Sequence, residues 1–170
     1  MLKGSGIHNY FGWKPVLKAN LAGDHLYTVS IAGLDMARSH KMVFQSVATE
    51  RIGMIVNNDW GANYSEAIHS VGRAAAAGVH AYSQATGATL LQIINQLGDE
   101  SIGEVLFESL EAKLWLQAAV AYYQDVDNYR RESSIGIYGV AGPYTSFSFY
   151  TTGESFFTLR LQIFESVFAF

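Results

Sequence analysis

Histidine and glutamate are the residues of this chain whose spacing suggests a metal site. His69 and His80 are eleven positions apart in a segment predicted to be helical, which puts them on one side of the helix but about 16 Å apart along its axis. Glu66 and His69 have the i, i+3 spacing of a di-iron site, but such a site needs two of these motifs and two more glutamates. We therefore expect no metal, and interpret Glu66 as a capping residue beside a partly buried histidine.

Catalytic and phosphate-binding chemistry have equally weak support. Asp35, Ser39 and His40 are the side-chain types of a catalytic triad, but no Gly-x-Ser-x-Gly sequence exposes a nucleophile, and a polar turn is the better interpretation. Gly4-Ser5-Gly6 lacks the third glycine of a dinucleotide-binding motif. The charged segment 125–132 predicts a solvated connection with local ion pairs. The sequence predicts no catalytic residue, no cofactor and no small-molecule substrate.

Composition limits the class of protein. Hydrophobic residues make up 49% of the 170 residues and charged residues only 15%, against about a quarter in a typical domain. Intrinsic disorder is excluded, because it requires few apolar residues and many charges. The length fits one domain over residues 1–170. The shortage of charge indicates that part of the outer surface is covered by other protein.

Charge and hydropathy exclude several partners. A net charge of −4 argues against a nucleic-acid-binding domain, although it is compatible with a surface that DNA passes without specific binding. The absence of cysteine excludes disulfides and cysteine-based zinc sites. The uncharged stretch from Ala74 to Gly98 contains too many polar side chains for a membrane span. On these grounds alone we expect a cytoplasmic protein.

The two ends of the chain are predicted to be β-rich. Alternating apolar residues predict strands at Leu26–Ile31 and Lys41–Val47, and the stretch Arg51–Val56 extends the second or forms a third. Asn57-Asn58-Asp59 predicts a turn. Phe147 and Phe149 alternate with serines, and the clearest strand begins at Phe157.

The middle of the chain is predicted to be helical. Asn63 and Glu66 have capping-box spacing, followed by apolar residues at helical spacing to Tyr82. Ala88–Leu97 predicts a second helix, and Ser101 with Glu104 starts a third that ends near Glu111. Residues 112–123 fit helix or strand, with strand favoured. The fold class predicted is α+β: an antiparallel sheet or barrel from the N- and C-terminal strands, with a central insertion of two to three helices.

Uncharged, aromatic-rich segments are the positive signal for function. Residues 133–153 carry no formal charge, and interfaces are enriched in aromatic residues and depleted of charge. The alternative is that these strands are core. Residues 1–22 suggest a docking arm, and the apolar C-terminus suggests a docked tail. The predicted subunit-interface residues are Tyr10, Phe11, Trp13, Tyr144, Phe147, Phe149, Tyr150, Phe164, Phe168 and Phe170.

The order of elements resembles the tail-tube family of contractile-tailed phages and its baseplate relatives. The similar segments are Leu26–Leu34, the strand that ends at Ser46-Val47, and the closing hairpin Thr145–Tyr150 with Phe157–Phe164, about half of the chain. That family usually has one helix against its barrel, whereas the middle here predicts two or three.

This resemblance implies a non-enzymatic structural protein that forms a ring or tube through sheet-edge pairing and docked termini. Its partners would be copies of itself and other particle proteins, around a lumen for DNA. It would be located in the virion, after assembly in the host cytoplasm. The alternatives are another virion component such as a capsid jelly-roll protein, and a small enzyme or ligand-binding domain with a pocket between helices and sheet.

Overall fold

Strands form all the regular secondary structure in residues 12–23, 26–48, 52–74, 77–88, 91–94, 98–125, 128–151 and 157–167, which the computed structural model describes. These strands are β1 (Trp13–Gly23), β2 (Leu26–Ser30), β3 (His40–Ala48), β4 (Ile52–Val56), β5 (Tyr64–Ala74), β6 (Ala77–Ala88), β7 (Leu91–Ile94), β8 (Gly98–Leu110), β9 (Lys113–Asp125), β10 (Asn128–Tyr138), β11 (Ser146–Thr151) and β12 (Phe157–Ser166).

The strands pair into two antiparallel sheets. The larger sheet has eight strands in the order β1-β12-β3-β8-β9-β10-β5-β6, and the smaller has four in the order β2-β11-β4-β7. Strands that are close in sequence form hairpins, such as β5 with β6 and β8 with β9. The other end of the large sheet joins distant parts of the chain, because β12 lies between β1 and β3.

The core lies between the two sheets. Met42 and Phe44 of β3 are buried on one face of the large sheet, and they belong to one cluster with Phe147 and Phe149 of the small sheet. The rings of Phe107 and Phe147 meet edge to face with centroids 5.0 Å apart. Since side chains alternate along a strand, the opposite face of the large sheet points away from this core.

The two central strands of the small sheet, β11 and β4, are the most deeply buried of its described strands, whereas its edge strand β2 is largely exposed. Every residue of β4 is buried, and the described side chains of β11 are buried or half-buried. A strand that is covered on both faces has a continuous run of apolar residues in its sequence, whereas a strand covered on one face alternates apolar and polar residues. The sequence Ile-Gly-Met-Ile-Val of β4 fits that pattern.

The predicted α+β class is wrong, because no helix occurs in the described part of the chain. Residues predicted to form the first helix belong to the hairpin of β5 and β6, the predicted second helix overlaps β7, and the predicted third helix lies in β8. The fold is all-β.

The physical reason is visible in β5 and β8. Tyr64, Glu66 and Ile68 are all buried, so the inward positions recur every two residues and not every 3.6. In β8, Val105 and Phe107 are buried while Ile102 and Leu106 are exposed. The alanines of β6 favour helix by intrinsic propensity, and pairing between strands overrides that preference.

Several predicted strands are present near their expected bounds. Leu26–Ile31 corresponds to β2, Lys41–Val47 to β3, and the predicted last strand to β12. Residues 112–123, for which strand was favoured over helix, lie mainly in β9. The predicted connection at 125–132 is wrong, because β10 begins at Asn128 and Glu132 is buried within it.

The suggested docking arm, residues 1–22, lies partly in the sheet. Residues 13–22 belong to β1 and pair with β12 from Trp13 opposite Ser166 to Ala22 opposite Thr158. The backbone N–H of Val167 also donates to the carbonyl of Gly12 at 2.8 Å. Residues 1–11 lie outside the described part of the chain.

Candidate interaction surface

The outward face of the large sheet carries a group of apolar side chains that the core does not cover. Ile102 is 60% exposed and Ile135 is 55% exposed, and Val47 and Leu106 are also exposed. We call this group the outer-face patch, and its members are Trp13, Val43, Val47, Ile102, Leu106, Trp115, Ile135 and Phe164. Exposed apolar patches of this kind mark sites of protein interaction.

Strand register brings the members of the patch together. Leu106 lies opposite Gln117 of β9, which in turn lies opposite Ile135 of β10. Trp13, Leu106, Trp115 and Ile135 line one shallow groove of about 410 Å³. The cation of Lys41 lies 5.1 Å from the centre of the Trp13 ring. Aromatic side chains in grooves of this kind are typical anchors of protein interfaces.

A second groove continues the patch over β1, β12, β3 and β8. It has a volume of about 660 Å³. Val43, Ile102 and Phe164 contribute apolar surface there, and Lys18 and Arg160 contribute positive charge. The mixture of apolar floor and polar rim is the composition that protein interfaces have.

The edges of the large sheet differ in how they are protected. At one edge, β1 contains Pro15, a register shift between Pro15 and Leu17, and the charged residues Lys14 and Lys18. Proline, bulges and lysine are devices that prevent an edge strand from pairing with another chain. The β1 edge is therefore guarded.

The other edge, β6, lacks proline and lysine, and its one register shift lies at Gly87, next to its C-terminal end. Its twelve residues, Ala77–Ala88, include no proline and no Lys, Arg, Asp or Glu. Within the described residues β6 pairs only with β5. In an antiparallel edge strand, alternate residues direct their backbone N–H and C=O groups away from the sheet. This strand coincides with the uncharged stretch noted in the sequence.

No protein-family model matches this chain, and no curated protein matches its sequence.

The predicted interface residues lie in different environments. Tyr144, Phe147 and Phe149 are buried in the core of the chain, which is the alternative considered for these strands. Trp13 and Phe164 are half-buried and line the grooves of the outer face.

Tyr150, also half-buried, meets Trp60 edge to face at 5.1 Å. The remaining predicted interface residues, Tyr10, Phe11, Phe168 and Phe170, lie outside the described part of the chain.

Sequence reasoning missed most of the outer-face patch. Ile102 and Leu106 were assigned to a helix, and on a helix they would share a face with residues that the structure buries. Reading residues 98–110 with a period of two would have placed Ile102, Leu106 and Leu110 together on the face opposite Val105 and Phe107.

A buried ionic cluster connects β1, β3 and β12. The His40 ring is fully buried and stacks on Phe107 with centroids 5.1 Å apart. Its Nε2 lies 3.7 Å from Oε2 of Glu165, whose Oε1 lies 2.8 Å from Nζ of Lys14. Arg38 approaches the same carboxylate at 3.8 Å. Glu165 thus joins three basic side chains.

The two titrating groups of this cluster shift in defined directions. Burial lowers the pKa of His40 below its usual value of 6.5, against the opposing effect of the Glu165 charge. The hydrogen bond from Lys14 lowers the pKa of Glu165 below its usual 4.5. At neutral pH the cluster therefore contains a neutral imidazole and an ionised carboxylate.

A second polar cluster fixes the turn between β4 and β5. Oδ1 of Asp59 accepts a hydrogen bond from the Gly61 N–H at 2.8 Å, while its Oδ2 accepts from Asn63 and from the Tyr138 hydroxyl, both also at 2.8 Å. These bonds lower the pKa of Asp59, the Gly61 N–H having the largest effect. Burial raises the pKa of Tyr64, which packs on Tyr138, to about 12. The cluster positions the turn and presents no free nucleophile.

The metal and triad interpretations find no support in these positions. Glu66 and His69 are three positions apart in a strand, so they face opposite sides of the sheet. Ser39 donates its hydroxyl proton to Glu108 at 2.9 Å, and His40 is out of contact with solvent. The described residues contain no group of three or more metal-binding side chains, and among them no helix is long and apolar enough to cross a membrane.

Proposed function

We propose that this chain is a structural subunit that assembles with copies of itself. The observation that carries this proposal is the outer-face patch, where Ile102 and Ile135 are each more than half exposed on an ordered sheet. Burying apolar surface contributes about 25 cal/mol per Å², so contact with another subunit would stabilise the exposed isoleucines. The low charge content of the chain supports the same proposal.

A ring or tube of a phage tail or baseplate is the setting that the sequence resemblance favours. Its partners there are copies of the chain and other particle proteins, and DNA passes through the lumen without specific binding. The helical insertion predicted from the sequence would have distinguished this chain from the tail-tube family, and no helix occurs in the described residues. The single helix that is usual in that family also has no counterpart among the described residues.

A capsid-type virion protein is the second candidate, and the two-sheet, all-β architecture favours it. A jelly roll has eight strands divided between two sheets, whereas the described residues form sheets of eight and four strands. Electron micrographs distinguish the two candidates, because rings with a central pore support the first and closed shells support the second.

The enzyme or ligand-binding alternative requires an enclosed pocket between helices and sheet. The two grooves described above are open and lie on the outward face of a sheet. Open grooves of this kind favour a macromolecular partner over a small substrate, which binds in an enclosed pocket.

The test replaces two patch residues by lysine, Ile102→Lys with Ile135→Lys. We expect the parent chain to form oligomers with rising concentration in sedimentation velocity, and the double variant to remain monomeric. Its free energy of unfolding should change by less than about 1 kcal/mol, because both positions are exposed.

The matched control is Ala32→Lys with Ala37→Lys, which adds the same charge at exposed turn positions away from the sheet face. The control should assemble like the parent. A parent chain that stays monomeric at high concentration, without rings in negative-stain micrographs, would contradict the proposed function.

A further inference from the structure

We propose that β6 of one subunit pairs antiparallel with β6 of a second copy, so that two large sheets become one continuous sheet. This inference rests on the proposed self-assembly and specifies one of its contacts. It follows from the edge strands of the two sheets, which differ in length, in charge and in proline content.

Length selects the partner. β6 has twelve residues, while the edge strands of the small sheet, β2 and β7, have five and four. The remaining edge, β1, is long but carries Pro15 and the charged residues Lys14 and Lys18, which disfavour pairing with another chain. Among the described edge strands, the one that matches β6 in length and is unguarded is β6 of another copy.

Charge permits this pairing. In a two-fold symmetric antiparallel pair, each residue meets a residue of the same strand in the other copy. A strand with charges of one sign would then place like charges opposite each other, which is destabilising. β6 has no Lys, Arg, Asp or Glu, and the proposed register places its one histidine, His80, opposite Thr86 of the second copy, so no like charges face each other.

The backbone groups supply the attraction. Pairing over Gly78–Ala88 places Ser83 opposite Ser83 of the second copy on the two-fold axis, because such an axis through an antiparallel sheet brings a residue opposite its own copy. Half of the residues of each β6 direct their N–H and C=O groups outward. This overlap satisfies most of these groups in both copies, and the paired region of eleven residues is about 37 Å long at 3.4 Å per residue.

Symmetric pairing also fits a larger assembly. A two-fold contact closes on itself and yields a dimer. The outer-face patch lies on a face of the sheet and not on its edge, so it remains open in such a dimer for the contacts that build a ring. Rings would then be assembled from dimers.

Spin labels can measure the pairing directly, because the chain has no cysteine. Single variants Ala81→Cys, Ser83→Cys and Ala85→Cys place one label per chain at alternate positions of β6. We expect the distance between labels in the two copies to be shortest at Ser83. It should increase by about 7 Å for each residue moved away from the axis in either direction, twice the rise per residue.

Other distance patterns overturn the proposal. A constant separation of about 5 Å at all three positions would show parallel stacking of strands. The absence of any coupling between copies would show that β6 is covered by another segment of its own chain or by nothing. Either result refutes the antiparallel β6 contact.

Lysine substitutions give an independent readout. Ala81→Lys with Ser83→Lys should shift the smallest assembly unit from dimer to monomer in sedimentation velocity. The control is again Ala32→Lys with Ala37→Lys at exposed turn positions, which should leave the dimer intact. A dimer that survives the β6 substitutions would overturn the inference.

The two proposals fail in distinguishable ways. If dimers with the expected label distances form and the Ile102→Lys, Ile135→Lys variant assembles like the parent, the β6 contact stands and the role of the outer face is refuted. If rings form without the expected distances, self-assembly stands and the β6 contact is refuted.

Discussion

His40 makes the stability of the fold dependent on pH. Burial lowers the pKa of His40 in the folded chain, so the unfolded chain binds this proton more readily. The free energy of unfolding should be insensitive to His40 above pH 6.5 and should fall as pH decreases from 6.5 towards the folded pKa. The slope cannot exceed about 1.4 kcal/mol per pH unit for one proton. Urea unfolding at pH 7.5, 6.5 and 5.5 measures it.

A matched pair of variants isolates the contribution of His40. His40→Leu removes the buried imidazole, and the decrease in stability between pH 6.5 and 5.5 should largely disappear. His69→Leu removes an exposed histidine on the outer face and should leave that decrease in place. Equal pH dependence in the parent and in His40→Leu would show that another group is responsible.

Protonation of Glu165 also lowers the free energy of unfolding, at a lower pH than the protonation of His40. Its pKa is lowered in the folded chain, so the stability that it contributes is present above its usual pKa of 4.5 and is lost as pH falls through the folded value. The two groups therefore titrate in succession, His40 first, and together they make the fold labile in acid.

The sequence allowed some of these residue-level features to be predicted. Trp13 and Phe164 were identified as interface candidates because they are aromatic, and both lie on the outward face. Phe147 and Phe149 have the same aromatic character but are core residues, because β11 is covered on both faces. Residue type alone cannot distinguish these environments, since the second sheet that buries β11 is assembled from distant parts of the chain.

Gly103 shows how tightly the central strands of the large sheet pack. A Cβ atom added to Gly103 in β8 would lie 2.7 Å from Cζ of Phe44 and 2.9 Å from the carbonyl oxygen of Ala119. Gly103→Ala should therefore lower the free energy of unfolding by about 1–3 kcal/mol, the usual cost of overpacking. Thermal or urea denaturation measures this change.

The control for Gly103 is a glycine in open space. A Cβ atom added to Gly33 would meet no atom within 4 Å, and Gly33→Ala should change stability by less than about 1 kcal/mol. If both substitutions had the same small effect, Phe44 would be free to move away from the added methyl group.

Strands in which apolar and polar residues alternate were predicted correctly. Strands with apolar residues on both faces were predicted as helices. β2 and β12 alternate apolar and polar residues, and their positions follow from that pattern. In β8, apolar residues occur on both faces, so the period of two is hidden and a helical spacing can be fitted instead. The outer-face patch that hides the pattern is the same feature that supports the proposed function.

Turn chemistry explains a second difference at the level of elements. Asn57 and Asn58 both have positive φ angles, and the asparagine pair predicted that turn. Glu111 and Ala112 also both have positive φ, as the tight β8–β9 hairpin requires. These residue types rarely adopt that conformation, so nothing in their identity signals the turn.

At the scale of the whole molecule, β12 holds together the ends of the fold. It pairs with both β1 and β3, and Leu159, Leu161 and Ile163 are buried in the core. A chain ending at residue 156 loses all three side chains and both ladders. Losing one large core side chain costs about 2–5 kcal/mol, and a domain has about 5–15 kcal/mol in total. We expect the shortened chain to be unfolded.

Circular dichroism and hydrogen exchange test this expectation. The full chain should give a β-sheet spectrum without helical bands, and the shortened chain should lose that spectrum together with its protected amides. Adding a peptide of residues 157–167 should restore both. Cooperative unfolding by the shortened chain alone would show that β12 is dispensable.

The pairing of β1 with β12 also determines how the subunit responds to mechanical tension. Trp13 and Ser166 lie opposite each other at one end of this ladder, so a pull on the two flanking segments acts across the strands rather than along them. Hydrogen bonds loaded in this direction break one after another, and the ladder unzips at low force. A subunit in an assembly therefore resists a pulling force only when the force is applied through the sheet faces and edges that contact neighbouring subunits, and not through the segments that flank β1 and β12.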